Sequence, residues 1–423
     1  MEYNPKTIMK CVISRAAVWV FLLAAFALSS CNNDDRASVP SNDLSGHLLL
    51  SASLDDGWQE TTRGERVEKE LEESFGLFAY TYGSGDSWNG GSGKVPDMLC
   101  DQEVTMVPEG WATTSLITLP EGDATKMQFF AYYPYRNPEL ATEEFQFLTS
   151  RPKWEYSELT NTWSGDTGNP EFGYLTADNA VDQLDFLVGV SCEYTKSATF
   201  FNTPVKLKFK HMLSGIVFKV GSGFTESMTI NSISLTNVCK EGKLTVTPPN
   251  PDAQNYDSQK PYDTATFSWD NLTHPGTVSV KVDFPVKRIE PNENPNKTDV
   301  GKIMNSDELV MFLIPQILSD NTAPEWPSNK SYIELVVNDG VHLTAELNST
   351  ELKMGKITVF TISVTSLMKL SVSTSIIDWN SNDDNIFGGS AQEGNAVTPT
   401  SEILDWGAIT PENITMQQTT EQN

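Results

Sequence analysis

Apolar and polar residues alternate with a period of two along much of this chain. In Val205-Lys206-Leu207-Lys208-Phe209-Lys210, three apolar residues alternate with three lysines. Residues 48–54 show a similar pattern, in which Leu48, Leu50, Ala52 and Leu54 occupy every second position. Successive side chains of a strand point to opposite faces. The alternation therefore predicts strands with one face in a core and the other in solvent.

Further strands are predicted from runs of aromatic and β-branched residues. They fall at 75–82, 127–133, 184–190, 216–220, 277–284, 356–364 and 369–379. The turn sequence Asn338-Asp339-Gly340 lies between two alternating runs and predicts a β-hairpin. Residues 65–73 favour one short helix, and residues 137–178 are interpreted as long loops. Many strands with few helices predict an all-β protein made of antiparallel β-sandwiches.

The chain is long enough for two domains. A stretch at 248–261 is rich in proline, asparagine and aspartate and lacks an apolar period, so it is interpreted as the linker. The predicted limits are 64–250 for an N-terminal sandwich and 251–387 for a C-terminal sandwich. A polar tail, 388–423, follows them.

Residues 1–30 have the three parts of an export signal. A basic beginning precedes the apolar run 16–28, which is too short to cross a bilayer as a stable helix. The run ends in Leu28-Ser29-Ser30-Cys31, which resembles a lipobox, the motif cleaved before a lipid-modified cysteine. We expect Cys31 to carry diacylglycerol and palmitate, because two or more acyl chains hold a protein firmly at a membrane. An uncleaved anchor helix and a plain secretory signal are the alternatives.

Composition narrows the function classes. The chain has 423 residues and a formal net charge of -27, which would repel phosphates and argues against nucleic-acid binding. Three cysteines of the mature chain, Cys100, Cys192 and Cys239, have no metal-type spacing. We expect these cysteines to be free thiols, and one disulfide between two of them is the alternative.

The sequence contains no pattern that calls for an enzyme or a cofactor. The four histidines lack a second ligand at zinc spacing, and His211 is interpreted as a core or turn residue. The start of a calcium loop at Asp378-x-Asn380-x-Asn382 is followed by Asp383 and Gly389, where glycine and glutamate are required. Neither a metal nor catalysis is therefore expected. A glycoside hydrolase would need two converging carboxylates.

Five motifs follow one another in a fixed order along the mature chain. They are Phe75-Gly76-Leu77-Phe78-Ala79, Phe129-Phe130-Ala131-Tyr132-Tyr133-Pro134, Asp185-Phe186-Leu187-Val188-Gly189, Val205-Lys206-Leu207-Lys208-Phe209-Lys210-His211-Met212-Leu213-Ser214 and Ile376-Ile377-Asp378-Trp379. Together they resemble the fimbrillin family, lipoprotein subunits of type V pili from Gram-negative anaerobes. The resemblance implies two tandem β-sandwich domains of transthyretin-like, Greek-key topology.

The resemblance also implies a route to the surface. A fimbrillin is anchored in the outer membrane by its lipid, trimmed by an arginine-specific protease and polymerised with other pilin subunits by strand donation. Residues 31–63 would then be a tether with a removable first strand, cut at Arg63 or, failing that, at Arg66. The apolar cluster 403–409 of the tail is the candidate donor.

Two functions are carried forward from the sequence. The first is a structural subunit of fimbriae that serves adhesion and biofilm formation, with host or bacterial surface molecules as further ligands. The second is a monomeric surface lipoprotein that binds glycans through exposed aromatic side chains.

Overall fold

The computed structural model describes residues 47–54 and 71–379. Within the second range it leaves out 89–90, 109, 120–124, 138–146, 197–202, 225–227, 253, 255, 257–260, 286–302, 306–309, 319–329, 339, 348–349 and 366–368. The predicted signal segment, Cys31, Arg63, Arg66, the tail, the last two residues of the calcium-like triplet and most of the predicted helix therefore lie outside the described residues.

The described residues form twenty-two strands and no α-helix. The strands of the first half are β1 Leu49–Leu54, β2 Phe75–Tyr82, β3 Leu99–Val107, β4 Gly110–Thr113, β5 Lys126–Tyr133, β6 Leu148–Ser150, β7 Trp154–Ser157, β8 Thr162–Gly165, β9 Glu171–Leu175, β10 Leu187–Val190, β11 Tyr194–Thr195 and β12 Val205–His211. Those of the second half are β13 Ser214–Val220, β14 Thr229–Thr247, β15 Thr266–Pro285, β16 Met311–Leu313, β17 Gln316–Leu318, β18 Tyr332–Val337, β19 Val341–Glu346, β20 Thr350–Leu352, β21 Lys356–Val364 and β22 Leu370–Asp378. The all-β prediction is confirmed.

Seven strands of the first half form a closed ring. Their order is β10, β12, β1, β4, β3, β2 and β5, and β5 pairs again with β10. The short β11 adds to β5 outside the ring. All pairs are antiparallel except β1 with β12. Closure removes the unpaired edges that a seven-stranded open sheet would present.

The interior of the ring is apolar. Its largest members are aromatic, and Phe75 lies 5.1 Å from Trp111 and 5.3 Å from Phe209 between ring centroids. Leucines and alanines of β1, β2, β5 and β12 fill the remaining space. This first core is built by the residues that the period-two pattern assigns to one face of each strand.

Three ring strands, β2, β5 and β10, are buried on both faces. Their outward side chains, including Phe78, Phe130 and Tyr132, enter a second, aromatic core with Phe172 and Phe186. A strand buried on both faces is apolar almost throughout. This explains why the sequences of these strands are continuous apolar and aromatic runs and do not alternate between apolar and polar residues.

The second half contains two further sheets around a third core. One has the order β16, β13, β21 and β22, with β13 and β21 parallel. In the other, β14 pairs with β15 along almost its whole length, with β18 over 230–236 and with β9 over 241–245. Valines, isoleucines and leucines fill the space between them.

Several local predictions have a clear outcome. The β18–β19 hairpin is confirmed, with Val337 opposite Val341 and a left-handed Asn338 at φ 49°. The three cysteines are free thiols, as expected. The interpretation of 137–178 as long loops is wrong, because β6 to β9 lie there. These strands are only three to five residues long, too short to show a period.

The domain limits and the transthyretin-like topology stay predictions. The proposed linker, 248–261, connects β14 to β15, which are antiparallel partners. Strands β13 and β14, which precede residue 250, pair with β21, β15 and β18, which follow it.

In the described part of the chain, no helix has the length and hydropathy needed to cross a bilayer.

Candidate functional site

Strand β1 completes the ring of the first half. It runs parallel to β12, with Leu50 beside Val205 and Leu54 beside Phe209. On its other side it meets β4 only at its beginning, with Leu49 beside Ala112 and Leu50 beside Trp111. It is the earliest described segment of the chain and is separated from β2 by twenty residues of sequence.

The start of β1 is fixed by Thr113. The backbone NH of Leu48 donates to Oγ1 of Thr113 at 3.1 Å, and the NH of Thr113 donates to the carbonyl of Leu48 at 3.2 Å. The ring Nδ1 of His47 lies 2.7 Å from the carbonyl oxygen of Thr113. These bonds set the register of β1 in the ring.

The side chains of β1 alternate as the sequence predicts. Leu48 and Leu50 are buried at 0% and 2% exposure, and Ala52 and Leu54 are half-buried against the same core. Ser51 and Ser53 point to solvent. Burying one leucine side chain contributes about 1.5–3 kcal/mol. The strand is therefore held by its inner side chains as well as by its backbone.

Strand β12 is the main neighbour of β1, and its alternation is also confirmed. Val205, Leu207 and Phe209 are buried in the ring. The opposite face is less open than predicted, since Lys208 lies over the Tyr262 ring at 5.7 Å and Lys210 over the Phe267 ring at 5.7 Å. Lys206 is the exposed member of the three.

Without β1, the ring would open between β12 and β4. Both strands would expose backbone NH and C=O groups that are now paired, beside a strip of apolar core that includes Phe209 and Trp111. An unpaired edge beside an apolar groove is a template for another extended segment. Removal of β1 would therefore uncover paired backbone groups of β12 and β4 beside apolar side chains of the ring core.

His211 ends β12 and is a core residue, as expected. Its side chain is buried, its Nδ1 lies 2.9 Å from Oδ2 of Asp185, and its ring stacks on Trp379 at 4.2 Å. Among the residues that the structure covers, no group of three or more histidine, cysteine, aspartate or glutamate side chains could hold a metal.

A partly buried polar network, which the sequence does not signal, lies on the outer side of the ring. The Asp101 carboxylate accepts a hydrogen bond of 2.7 Å from the Tyr132 hydroxyl. It also forms an ion pair of 3.1 Å with Arg151. Burial raises the pKa of Asp101, and Arg151 and Tyr132 partly offset this effect. Because these groups satisfy one another, we interpret the network as structural.

Two features bear on whether this protein is a glycoside hydrolase or a glycan-binding protein. A polar cleft near Trp88 contains Glu193, but this carboxylate is already bound by Lys126 at 3.0 Å and by the Tyr82 hydroxyl at 2.6 Å. Of the five tryptophans whose burial the structure describes, none is exposed. These residues do not form the flat aromatic platform that a glycan-binding surface uses.

This chain is similar to known fimbrial proteins. The fimbrillin-like family model matches residues 62–379. A fimbrial protein from Bacteroides vulgatus is 18% identical with a TM-score of 0.42, over 79% of this chain and 99% of that one. The tip fimbrial protein Mfa3 from Porphyromonas gingivalis, with C-terminal truncation, is 12% identical with a TM-score of 0.33, over 79% and 99%. No curated protein matches this chain.

Proposed function

This chain belongs to the fimbrillin-like family, and from that premise we propose that it is a structural subunit of cell-surface fimbriae of the type V pilus kind. In this role it serves adhesion and biofilm formation by contacting other subunits and surface molecules of host or bacterial cells. It acts as a structural and adhesive protein rather than as an enzyme.

The proposal includes a route of maturation. The chain is exported, cleaved before Cys31 and held in the outer membrane by the lipid on that cysteine. An arginine-specific protease then cuts after Arg63, which is flanked by Gly64 in a polar stretch where a protease can reach extended backbone. Arg66 is the alternative site. Either cut separates the lipid anchor and β1 from the rest of the chain.

The observation that carries the proposal is the position of β1 in the ring. This strand precedes both arginines in sequence, pairs with two strands that come from later parts of the chain and buries its inner side chains in their core. Its loss would leave a groove that another extended segment can fill with the same backbone bonds. The proposed donor is the apolar cluster 403–409 in the tail of a neighbouring subunit.

The test uses three purified proteins that begin at Gly64. The first ends at Asn423, the second ends at Gly389, and the third keeps the full tail but carries Leu404→Asp and Trp406→Asp. We expect filaments or ladders from the first protein only, measured by electron microscopy and light scattering. The third protein is the matched control, because it keeps the tail length.

Two outcomes would contradict parts of the proposal. Filaments from the protein that ends at Gly389 would remove the tail as the donor. Absence of filaments from all three, with each one folded by circular dichroism, would contradict the assignment as a polymerising pilus subunit.

A further inference from the structure

Trp379 is the last residue that the structure describes, and it is one of the most deeply buried. It follows β22 directly and is 1% exposed. Its indole stacks on His211 with ring centroids 4.2 Å apart and on Phe312 with centroids 5.8 Å apart, at interplanar angles of 22° and 12°. The chain continues in sequence from Asn380 into the polar tail.

The two stacking partners belong to different sheets. His211 is the last residue of β12 in the ring, and Asp185 holds its Nδ1 at 2.9 Å. Phe312 lies in β16, which pairs with β13 in the second half. Trp379 thus joins the sheet that contains β1 to the sheet that ends in β22.

Close packing around this indole requires a glycine. A Cβ added to Gly215 would lie 2.9 Å from Val310, 3.0 Å from Ile357 and 3.4 Å from Trp379. Side chains at this point would have to move to accept even a methyl group. The indole is therefore held on several sides by side chains that have little freedom to move.

We infer that Trp379 is a positioning residue, which fixes the origin of the tail and couples that origin to β12 through His211. The inference rests on the proposed function, since it gives the tail and the β1 groove a shared mechanical element. Detaching the end of β22 from the body would require withdrawal of the Trp379 side chain, and a buried indole covers on the order of 150–250 Å². A load on the tail is thereby passed to β12 as well as to β22.

The coupling can be tested in the uncut, full-length monomer, where polymerisation plays no part. The variant is Trp379→Leu, which stays apolar but loses both ring stacks. The matched control is Phe360→Leu in β21, which removes a buried ring stacked on Phe218 at 5.9 Å in the third core. Hydrogen exchange followed by mass spectrometry reports on the peptides that contain β12 and β1.

We expect Trp379→Leu to speed exchange in the β12 and β1 peptides by about tenfold or more, because local opening there loses a buried anchor. Phe360→Leu should speed exchange around β21 and β13 and leave β1 unchanged. If Trp379→Leu does not fold, Trp379→Phe replaces it, and a smaller change of the same pattern is expected. Equal exchange patterns for the Trp379 and Phe360 variants would overturn the inference.

The same variants separate this inference from the proposed function. If the Gly64–Asn423 protein forms filaments but Trp379→Leu leaves β1 and β12 exchange unchanged, the coupling is wrong and the pilus assignment stands. If exchange changes as expected but no filament forms, the coupling stands and the pilus assignment is wrong.

Discussion

The replacement Leu50→Ala addresses the part of the fold on which the functional proposal depends. Leu50 is 2% exposed in the ring core and is paired on one side with Val205 and on the other with Trp111. Its neighbour Leu49 is the same residue type in the same strand and is only half-buried, on the opposite face. Leu49→Ala is therefore the matched control.

The size of the effect follows from burial. Replacing a buried leucine by alanine costs about 2–5 kcal/mol, because the apolar contacts are lost and the core closes only partly around the cavity. The same truncation at the half-buried Leu49 removes less buried apolar surface, so it should cost less than at Leu50. We expect most of the loss to appear as local opening of β1, because this strand lies at the start of the described chain and pairs with β4 at only two positions.

The measurement is hydrogen exchange of the 47–54 peptide in the uncut protein, together with urea unfolding. We expect Leu50→Ala to favour opening of β1 by about 2 kcal/mol, which is roughly thirtyfold in exchange rate. Leu49→Ala should favour opening by a clearly smaller amount, because this side chain is only half-buried. Equal effects of the two replacements would refute the assignment of Leu50 to the core face and would weaken the description of β1 as a core-filling strand.

Three further predictions test other parts of the molecule. Phe209→Asp should unfold the ring, because it places an unpaired carboxylate in an apolar core, whereas Lys206→Asp on the exposed side of β12 should leave the thermal midpoint nearly unchanged. Cys31→Ala should remove the acyl mass in mass spectrometry and release the protein from membranes, and an unchanged membrane fraction would argue against lipidation. Burial raises the pKa of Cys100 to about 11, so alkylation of this thiol at pH 8, followed by peptide mapping, should be about a hundredfold slower in the folded than in the urea-unfolded protein.

The alternation of apolar and polar residues correctly predicted which face of β12 is buried. Val205, Leu207 and Phe209 lie in the core as their spacing predicts. The same reasoning placed Lys208 in solvent, but Tyr262, from the turn that begins β15, lies against it. A period of two identifies the face of a strand and carries no information about which later segment covers that face.

Pairing partners could not be predicted for the same reason. Strand β13 lies beside β21, which begins more than 130 residues later, and the two are parallel. Closure of the ring depends on β5 meeting β10 as well as β2. These are long-range choices, set by the fit of whole faces, whereas turn chemistry such as Asn338-Asp339-Gly340 fixes only the nearest neighbour.

The unequal edges of β1 have a consequence for any segment that replaces it. Strand β12 borders it from Leu50 to Leu54, whereas β4 meets this segment only at its beginning, from Leu48 to Leu50. Backbone bonds to β12 are open to any extended sequence, so selection among segments must come from the side chains that enter the core.

Those inner positions are occupied in order by Leu48, which directly precedes β1, and by Leu50, Ala52 and Leu54 within it. Leu404, Trp406 and Ala408 in the tail match the first three of these positions in order of size and in spacing, read in the same direction, and Thr410 falls at the position of Leu54. A donor that entered parallel to β12 would thus place Trp406 where Leu50 now lies, and the larger indole would have to be accommodated beside Trp111. For this reason the Leu404→Asp and Trp406→Asp protein is a sharper test of the donor than removal of the tail: it leaves every backbone bond available and changes only the side chains that the groove would select.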